Sequence, residues 1–140
     1  MNYRHIYHAG NFADVVKHLV LHMVLSYMQQ KDKGLMVLDA FAGLGLYDLN
    51  SVEAGKTGEF EGGIAKLMAR PAQNPDIKAF QEMVAQDWAQ RLYAGSPLLA
   101  ARLLRPQDRL VANELHPDDK PELAWNLRGL GNVQDRKSVV

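Results

Sequence analysis

The chain has 140 residues, 47% of them hydrophobic and 23% charged, and its formal net charge is zero. That suits one ordinary globular domain with a buried core, and it excludes a uniformly basic coat for nucleic acid while leaving room for a local basic patch. The absence of cysteine excludes disulfides and thiolate metal sites. No apolar run approaches the roughly 20 residues that span a bilayer, and no secretory signal opens the chain, so the expectation is a cytoplasmic protein with no membrane partner.

Asn11 or Asp14 is placed to cap a helix that runs to about Gln30. Within it Val15, Val16, Leu19, Val20, Met23, Val24, Tyr27 and Met28 recur at helical spacing as one broad apolar stripe, with Lys17 and His18 at its edge. Lys31 to Gly34 ends this helix and leads into a strand, Leu35 to Leu38. A polar loop from Tyr47 to Gly58 precedes a helix over Glu59 to Arg70, and a break at Pro71 to Pro75 precedes another over Asp76 to about Leu92. After the turn Ala94-Gly95-Ser96-Pro97 come a short helix, Leu98 to Leu104, and a second strand, Arg109 to Glu114. A helix over Asp118 to Arg128, a stop at Gly129 to Gly131 and the start of a third strand near Val133 complete the pattern. Trp88 and Trp125 read most simply as core residues.

Strands alternating with helices predict an α/β fold with a parallel sheet and a ligand at the carboxyl ends of its strands. The first strand delivers Asp39 and then Gly43 and Gly45, where a ligand can approach more closely than a Cβ would allow. Asp-x-x-x-Gly-x-Gly of this kind occurs in many methyltransferases that use S-adenosylmethionine (SAM), but also in NAD-binding folds and plain structural loops. An NAD fingerprint needs a third glycine at position 48, which is Asp48. The second strand also ends in an acid, Glu114, where nucleotide-binding folds hold ribose hydroxyls; Glu114 could equally cap the helix after it. Ser96 could likewise be a helix N-cap, with Pro97 at the first helical position. The distance between the two strands implies a mostly helical insertion over residues 46–97. His5, His8, His18 and His22 invite a metal reading, particularly the i, i+4 pair, but no nearby acid completes a closed site.

The string Tyr3-Arg4-His5-x-x-His8-Ala9-Gly10-Asn11-x-Ala13-Asp14-Val15-x-Lys17-His18 closely resembles the opening of the bacterial ribosomal RNA large subunit methyltransferase J family. Leu38-Asp39-x-x-Ala42-Gly43-x-Gly45-x-Tyr47, Thr57-Gly58-Glu59, Gly95-Ser96-Pro97 and Glu114-Leu115-His116-Pro117 match further in family order. The resemblance implies the N-terminal part of a Rossmann-like SAM-dependent fold, and methyl transfer to the exocyclic N6 of an adenine in 23S ribosomal RNA. It implies cofactor contacts from Lys17, His18, Asp39, Gly43, Gly45, Ser96 and Glu114, and contact with substrate RNA from Tyr3, with Arg4 beside it. Phe41 departs from the family, where better-known members have a histidine; an aromatic ring can still pack on SAM. The family needs no metal.

Adenine-N6 methyltransferases hold the amine with an Asp/Asn-Pro-Pro-aromatic motif. No Pro-Pro pair occurs in these residues, and the family places its motif beyond residue 140. The expectation is therefore a single truncated methyltransferase domain over 1–140: arm, helix, first strand and glycine turn in 1–45, the insertion in 46–97, and the second strand and start of the third in 98–140. Such a chain lacks a catalytic residue set and is expected to be inactive alone. Its expected partner is 23S ribosomal RNA, deproteinised or in an assembly intermediate. A full-length form would be a monomer, and a fragment could dimerise through its open sheet edge. The rival reading is a non-catalytic module that binds RNA or a nucleotide through the arm and the first helix.

Overall fold

The computed structural model describes residues 3–130 and 133–137. In chain order the elements are a 3-10 turn His5–Tyr7, α1 Phe12–Met28, β1 Met36–Asp39, β2 Leu46–Asp48, α2 Val52–Thr57, a second 3-10 turn Glu59–Gly62, α3 Ile64–Met68, α4 Pro75–Ala89, β3 Leu92–Ala94, α5 Ser96–Leu103, β4 Arg109–Glu114, α6 Asp119–Asn126 and β5 Val133–Lys137. They form a mixed α/β structure in two compact units, one of Met1–Val20 with Tyr47–Ala94 and the other of Leu21–Leu46 with Gly95–Val140.

The second unit holds a parallel sheet in the order β1-β4-β5. Asp39 pairs with Ala112, so the acid of β4, Glu114, lies two residues further along. One face of the sheet is closed by apolar packing, with Leu25 of α1, Ala100 and Ala101 of α5 and Leu110 of β4 at its centre, and Leu21, Leu35 and Val37 around them. The turn into β4 is organised by Asp108, which is wholly buried. Its carboxylate accepts from the Leu35 and Arg105 backbone N–H groups (both 2.8 Å), from Arg105 Nε and Nη2 (both 3.0 Å) and from Gln29 Nε2 (3.2 Å). The Arg105 guanidinium and these backbone donors hold the carboxyl far below the usual carboxylate range, against the opposing effect of burial.

The first unit contains the two-stranded sheet β2-β3, with α2, the second 3-10 turn, α3 and α4 between the strands in sequence. Ser51 caps α2 by accepting from the Ala54 N–H, and Asn74 caps α4 by accepting from the Asp76 and Ile77 N–H groups, with Pro75 as the first helical residue. Tyr47, Ile64, Phe80, Val84 and Tyr93 are its largest fully buried apolar side chains.

Several expectations are corrected. The segment read as a loop over 47–58 contains the end of β2 and all of α2. The helix read over Glu59 to Arg70 is two pieces, broken at Gly63, where a Cβ would stand 2.0 Å from the Gly10 carbonyl oxygen. Only glycine permits that approach. The helix read to Leu92 stops at Ala89, because Arg91 turns left-handed (φ 57°) just before β3 begins at Leu92. Trp125 is not a core residue: it is 64% exposed, with the Arg128 guanidinium 3.5 Å from its ring centroid. Most of the stripe read on α1 is also outside. The buried positions of α1 are Asp14, Val15, His18 and Leu25, while Val16, Val20, Met23, Val24, Tyr27 and Met28 are exposed. The stripe is present but faces mostly outward, because the buried side of α1 carries Asp14 and His18. Gly131, the far end of the expected helix stop, lies outside the described residues.

Replacing Asp108 by alanine strands two backbone donors and a guanidinium inside the turn. We expect a loss of about 3 kcal/mol in urea unfolding. A change under about 0.5 kcal/mol would show that the turn holds without the carboxylate.

Candidate functional site

In the second unit the carboxyl end of β1 opens into a turn fixed on every side by hydrogen bonds. Ala42 N–H donates to the Asn113 carbonyl (2.9 Å), and Asn113 Nδ2 donates to the Ala40 carbonyl (3.1 Å). Asn126 Nδ2 donates to the Leu44 carbonyl (2.8 Å), and Gly95 N–H to the Gly45 carbonyl (2.9 Å). Gly43 and Gly45 have φ of 69° and 81°. At Gly45 a side chain would be strained by that φ and pressed against Leu123 Cδ1 at 3.3 Å.

Both predicted acids belong to this turn. Asp39 Oδ2 accepts from the Ser96 hydroxyl (2.5 Å), and its Oδ1 from the Phe41 N–H (3.3 Å). Glu114 Oε2 accepts from the Gly43 N–H (2.7 Å) and its Oε1 from the His116 N–H (2.8 Å). Each of these carboxylate oxygens keeps acceptor capacity beyond the one bond it makes here. Ser96 is the first residue of α5, whose N-cap is Gly95; its hydroxyl caps nothing and turns to Asp39 instead. Phe41 lies at the tip of the turn, 91% exposed. The structure thus brings Asp39, Phe41, Gly43, Gly45, Ser96 and Glu114 together.

Lys17, His18, Tyr3 and Arg4 fall in the first unit. Asp14 is 1% exposed. Its Oδ2 accepts from the Gly10 N–H (3.0 Å) and from His5 Nε2 (2.8 Å), while Asn11 Oδ1 caps α1 by accepting from the Asp14 N–H (2.8 Å). On the other side of the ring, His5 Nδ1 and the Tyr3 hydroxyl are hydrogen-bonded at 2.7 Å. Tyr3 also stacks on His8 with centroids 5.5 Å apart, and His8 and Asn11 bond Glu59 Oε2, both at 3.0 Å. A hydrogen bond from the Thr57 hydroxyl to the Tyr7 carbonyl ties the same arm. Asp14 Oδ1 is buried and makes no hydrogen bond; Lys17 Nζ stands 3.5 Å from it and His18 Nε2 3.7 Å.

His18 is buried, and its Nδ1 meets the Tyr93 hydroxyl at 2.7 Å. Burial pulls its imidazolium down to about 4 despite the Asp14 charge, so the ring is neutral at neutral pH. Burial alone would raise the Asp14 carboxyl, but the His5 hydrogen bond and the His18 and His5 charges outweigh it and hold the group at about 2. Among the described residues no group of three His, Asp or Glu side chains is disposed to hold a metal ion.

Asp14 as a buried centre, with Tyr93 and Glu59 as its long-range supports, and Asn113 and Asn126 as holders of the glycine turn are not among the residues that sequence patterns single out. Asp14 and His18 are four apart on one helix face, and Asn113 immediately precedes Glu114; those spacings were the available signals. The histidine gives a pH test. A folded-state pKa below the ordinary 6.5 means that the unfolded chain binds the extra proton, so stability falls as pH drops from about 6.5 towards 4. We expect a loss of about 2 kcal/mol between pH 7 and pH 5 in denaturant titrations. His18→Gln should flatten that slope, and an unchanged slope would contradict the assignment. Asp14 acts in a lower window, its stabilisation present above about 3.8 and lost as pH falls through about 2.

Residues 32–138 match the family model described as "Ribosomal RNA large subunit methyltransferase D, RlmJ". The chain is 44% identical over 137 residues to a protein of Haemophilus influenzae named Ribosomal RNA large subunit methyltransferase J, covering 95% of this chain and 49% of that one. It is 42% identical over 126 residues to the protein of that name from Escherichia coli K12, covering 88% and 45%. A crystal structure from Legionella pneumophila strain Philadelphia 1, of family DUF519, superposes with a TM-score of 0.77 at 35% identity, covering 91% of this chain and 48% of that one. The chain therefore spans about half the length of the relatives it matches. It belongs to the RlmJ family of ribosomal RNA large subunit methyltransferases.

Proposed function

We propose that this chain carries the cofactor-holding part of a cytoplasmic SAM-dependent methyltransferase acting on the exocyclic N6 of an adenine in 23S ribosomal RNA, with a Rossmann-like core and a helical insertion over 46–97. The observation that carries this reading is the glycine turn held between Asp39 and Glu114 at the carboxyl end of a parallel sheet, in a chain whose relatives are named ribosomal RNA methyltransferases.

The residues present fit SAM. Asp39 and Glu114 retain acceptor capacity for ribose hydroxyls or an ammonium, the turn lacks Cβ atoms at Gly43 and Gly45, and Phe41 offers an exposed ring face for an adenine. SAM itself supplies an electrophilic methyl group on a sulfonium. This chain's part is positioning: Glu114 and Ser96 keep the turn and Asp39 in one geometry, so little is left to organise when the ligand arrives. Lys17 and His18 remain the cofactor contacts the family resemblance implies in the first unit, and Tyr3 and Arg4 the RNA contacts. The absence of a Pro-Pro pair in these residues favours, for the chain by itself, the second reading of a non-catalytic RNA- or nucleotide-binding module.

Calorimetric titration separates the cases. The chain is expected to bind SAM and not NADH, with Glu114→Gln weakening SAM at least tenfold because one acceptor oxygen and the charge are lost. Binding of NADH in place of SAM would overturn the proposal. Methyl transfer to deproteinised 23S RNA by residues 1–140 alone is expected to be undetectable, and measured activity would contradict the positioning-only role. If the module reading is the right one, replacing Arg4 and Lys17 lowers RNA affinity and flattens its salt dependence; if neither changes, that reading fails.

A further inference from the structure

Three segments of the second unit meet at the amino ends of its parallel strands. Lys31 to Gly34 leads from α1 into β1, and Arg105 to Asp108 joins α5 to β4. Because β4 and β5 are parallel, α6 returns the chain to the amino end of β5, and Arg128 follows it. Their apolar neighbours pack on one cluster: Leu35 beside the first segment, Leu103 and Leu104 beside the second, and Leu130 beside the third. The Arg109 N–H donates to the Leu35 carbonyl (2.8 Å), and a Cβ on Gly34 would stand 2.4 Å from the Gln107 carbonyl oxygen, so the first two segments touch.

This end is cationic in a chain whose formal net charge is zero. Lys31, Lys33, Arg102, Arg109 and Arg128 are exposed there. Of the two acids in these segments, Asp32 is exposed, while Asp108 is wholly buried and spent on Arg105. Arg105 in turn donates to the carbonyls of Gln29 (3.0 Å), Lys31 (2.7 Å) and Lys33 (3.1 Å). It thereby fixes the backbone of the lysine loop while both ammonium groups stay outside. Among the described residues neither lysine is in an ion pair. Cations in the last turn of a helix complement its dipole, which accounts for Arg102. It does not account for Lys31 and Lys33, which lie beyond Met28, or for Arg109, which begins a strand. Trp125 carries the Arg128 guanidinium 3.5 Å from its ring centroid, and both are exposed. Such a planar pair is a platform for an unstacked base.

We propose that the amino-end face of this sheet, opposite the glycine turn, is a second RNA-holding surface. Lys31, Lys33 and Arg109 take the phosphate backbone, and the Trp125–Arg128 pair stacks a base. A nucleic acid fits better than an acidic protein, because the aromatic platform stands among the cations and every base has a face to lay on it. Each phosphate held also releases condensed counterions, and the loop that presents the lysines is already fixed, so little order is lost on binding. The inference rests on the proposed RNA substrate, and not on SAM.

The test measures binding of the 140-residue chain to deproteinised 23S ribosomal RNA over a series of potassium chloride concentrations. The triple variant Lys31→Gln, Lys33→Gln, Arg109→Gln is expected to bind about tenfold more weakly at about 0.1 M salt, with a log–log salt slope shallower by about two. A control triple, Lys56→Gln, Lys66→Gln, Lys78→Gln, removes the same charge from exposed positions of the first unit. Its affinity should stay within about twofold of the parent chain. Trp125→Ala should cost about tenfold and leave the slope unchanged. Lysine acylation of the parent chain depends on no variant folding: RNA should protect Lys31 and Lys33 and leave Lys56, Lys66 and Lys78 reactive. Equal losses in the two triple variants, no loss in either, or no protection of Lys31 and Lys33 would overturn the proposal. If the surface behaves as expected but the chain does not bind SAM, the proposal stands and the proposed function fails. If SAM binds and RNA is held without Lys31, Lys33 and Arg109, the reverse holds.

Discussion

The carboxylate of Glu114 is the interaction on which the ligand end of the second unit depends. Its two oxygens accept from the backbone N–H of Gly43 and of His116, so the glycine turn after β1 and the segment leaving β4 are tied to one side chain. Neither segment has sheet partners for these amides, and an unsatisfied backbone donor is costly once it leaves water. Asn113 and Asn126 secure the remaining carbonyls of the turn. What results is a backbone loop of fixed shape with left-handed glycines and two acids whose acceptors are only partly used. A loop held in that way can recognise a nucleotide-like ligand without reorganising.

The first unit repeats the device with different partners. Asp14 is buried and takes the Gly10 N–H and the His5 ring, which draws the N-terminal arm onto the start of α1. Glu59 does the same for His8 and Asn11 from outside. The cost of burying Asp14 is offset by these donors, while its own burial keeps His18 neutral against Tyr93. Tyr3 inherits its place from this arrangement, through the His5 hydrogen bond and the His8 stack, while its ring stays exposed. An exposed aromatic ring held in place is suited to contact with an unstacked base.

The glycine turn was legible because its parts are contiguous: an apolar strand, Asp39, Gly43 and Gly45 follow one another, and Glu114 ends the next strand. The long-range network was not. Tyr93 reaches His18 across 75 positions and Asn126 reaches Leu44 across 82, and no local pattern encodes such pairs. Periodicity also misplaced apolar residues. Trp125 fits an amphipathic helix, but it satisfies its ring against Arg128 at the surface. On α1 the buried side is chosen by the hydrogen bonds of Asp14 and His18 as much as by apolar count, so Val20 and Val24 of the apolar stripe face out. Short elements such as β2 and β3 are illegible for a simpler reason: three residues carry too little periodicity to read.

The turn held by Asp39 and Glu114 is the proposed seat of a nucleotide-like methyl donor. Titrating the isotopically labelled chain with SAM, and following each backbone amide by NMR, decides whether it binds there. The largest shifts are expected on residues 40–45, Ser96 and residues 114–116, and Glu114→Gln should reduce them at equal ligand concentration. Saturable binding with shifts confined to other parts of the chain, or no shifts at millimolar SAM, would contradict it.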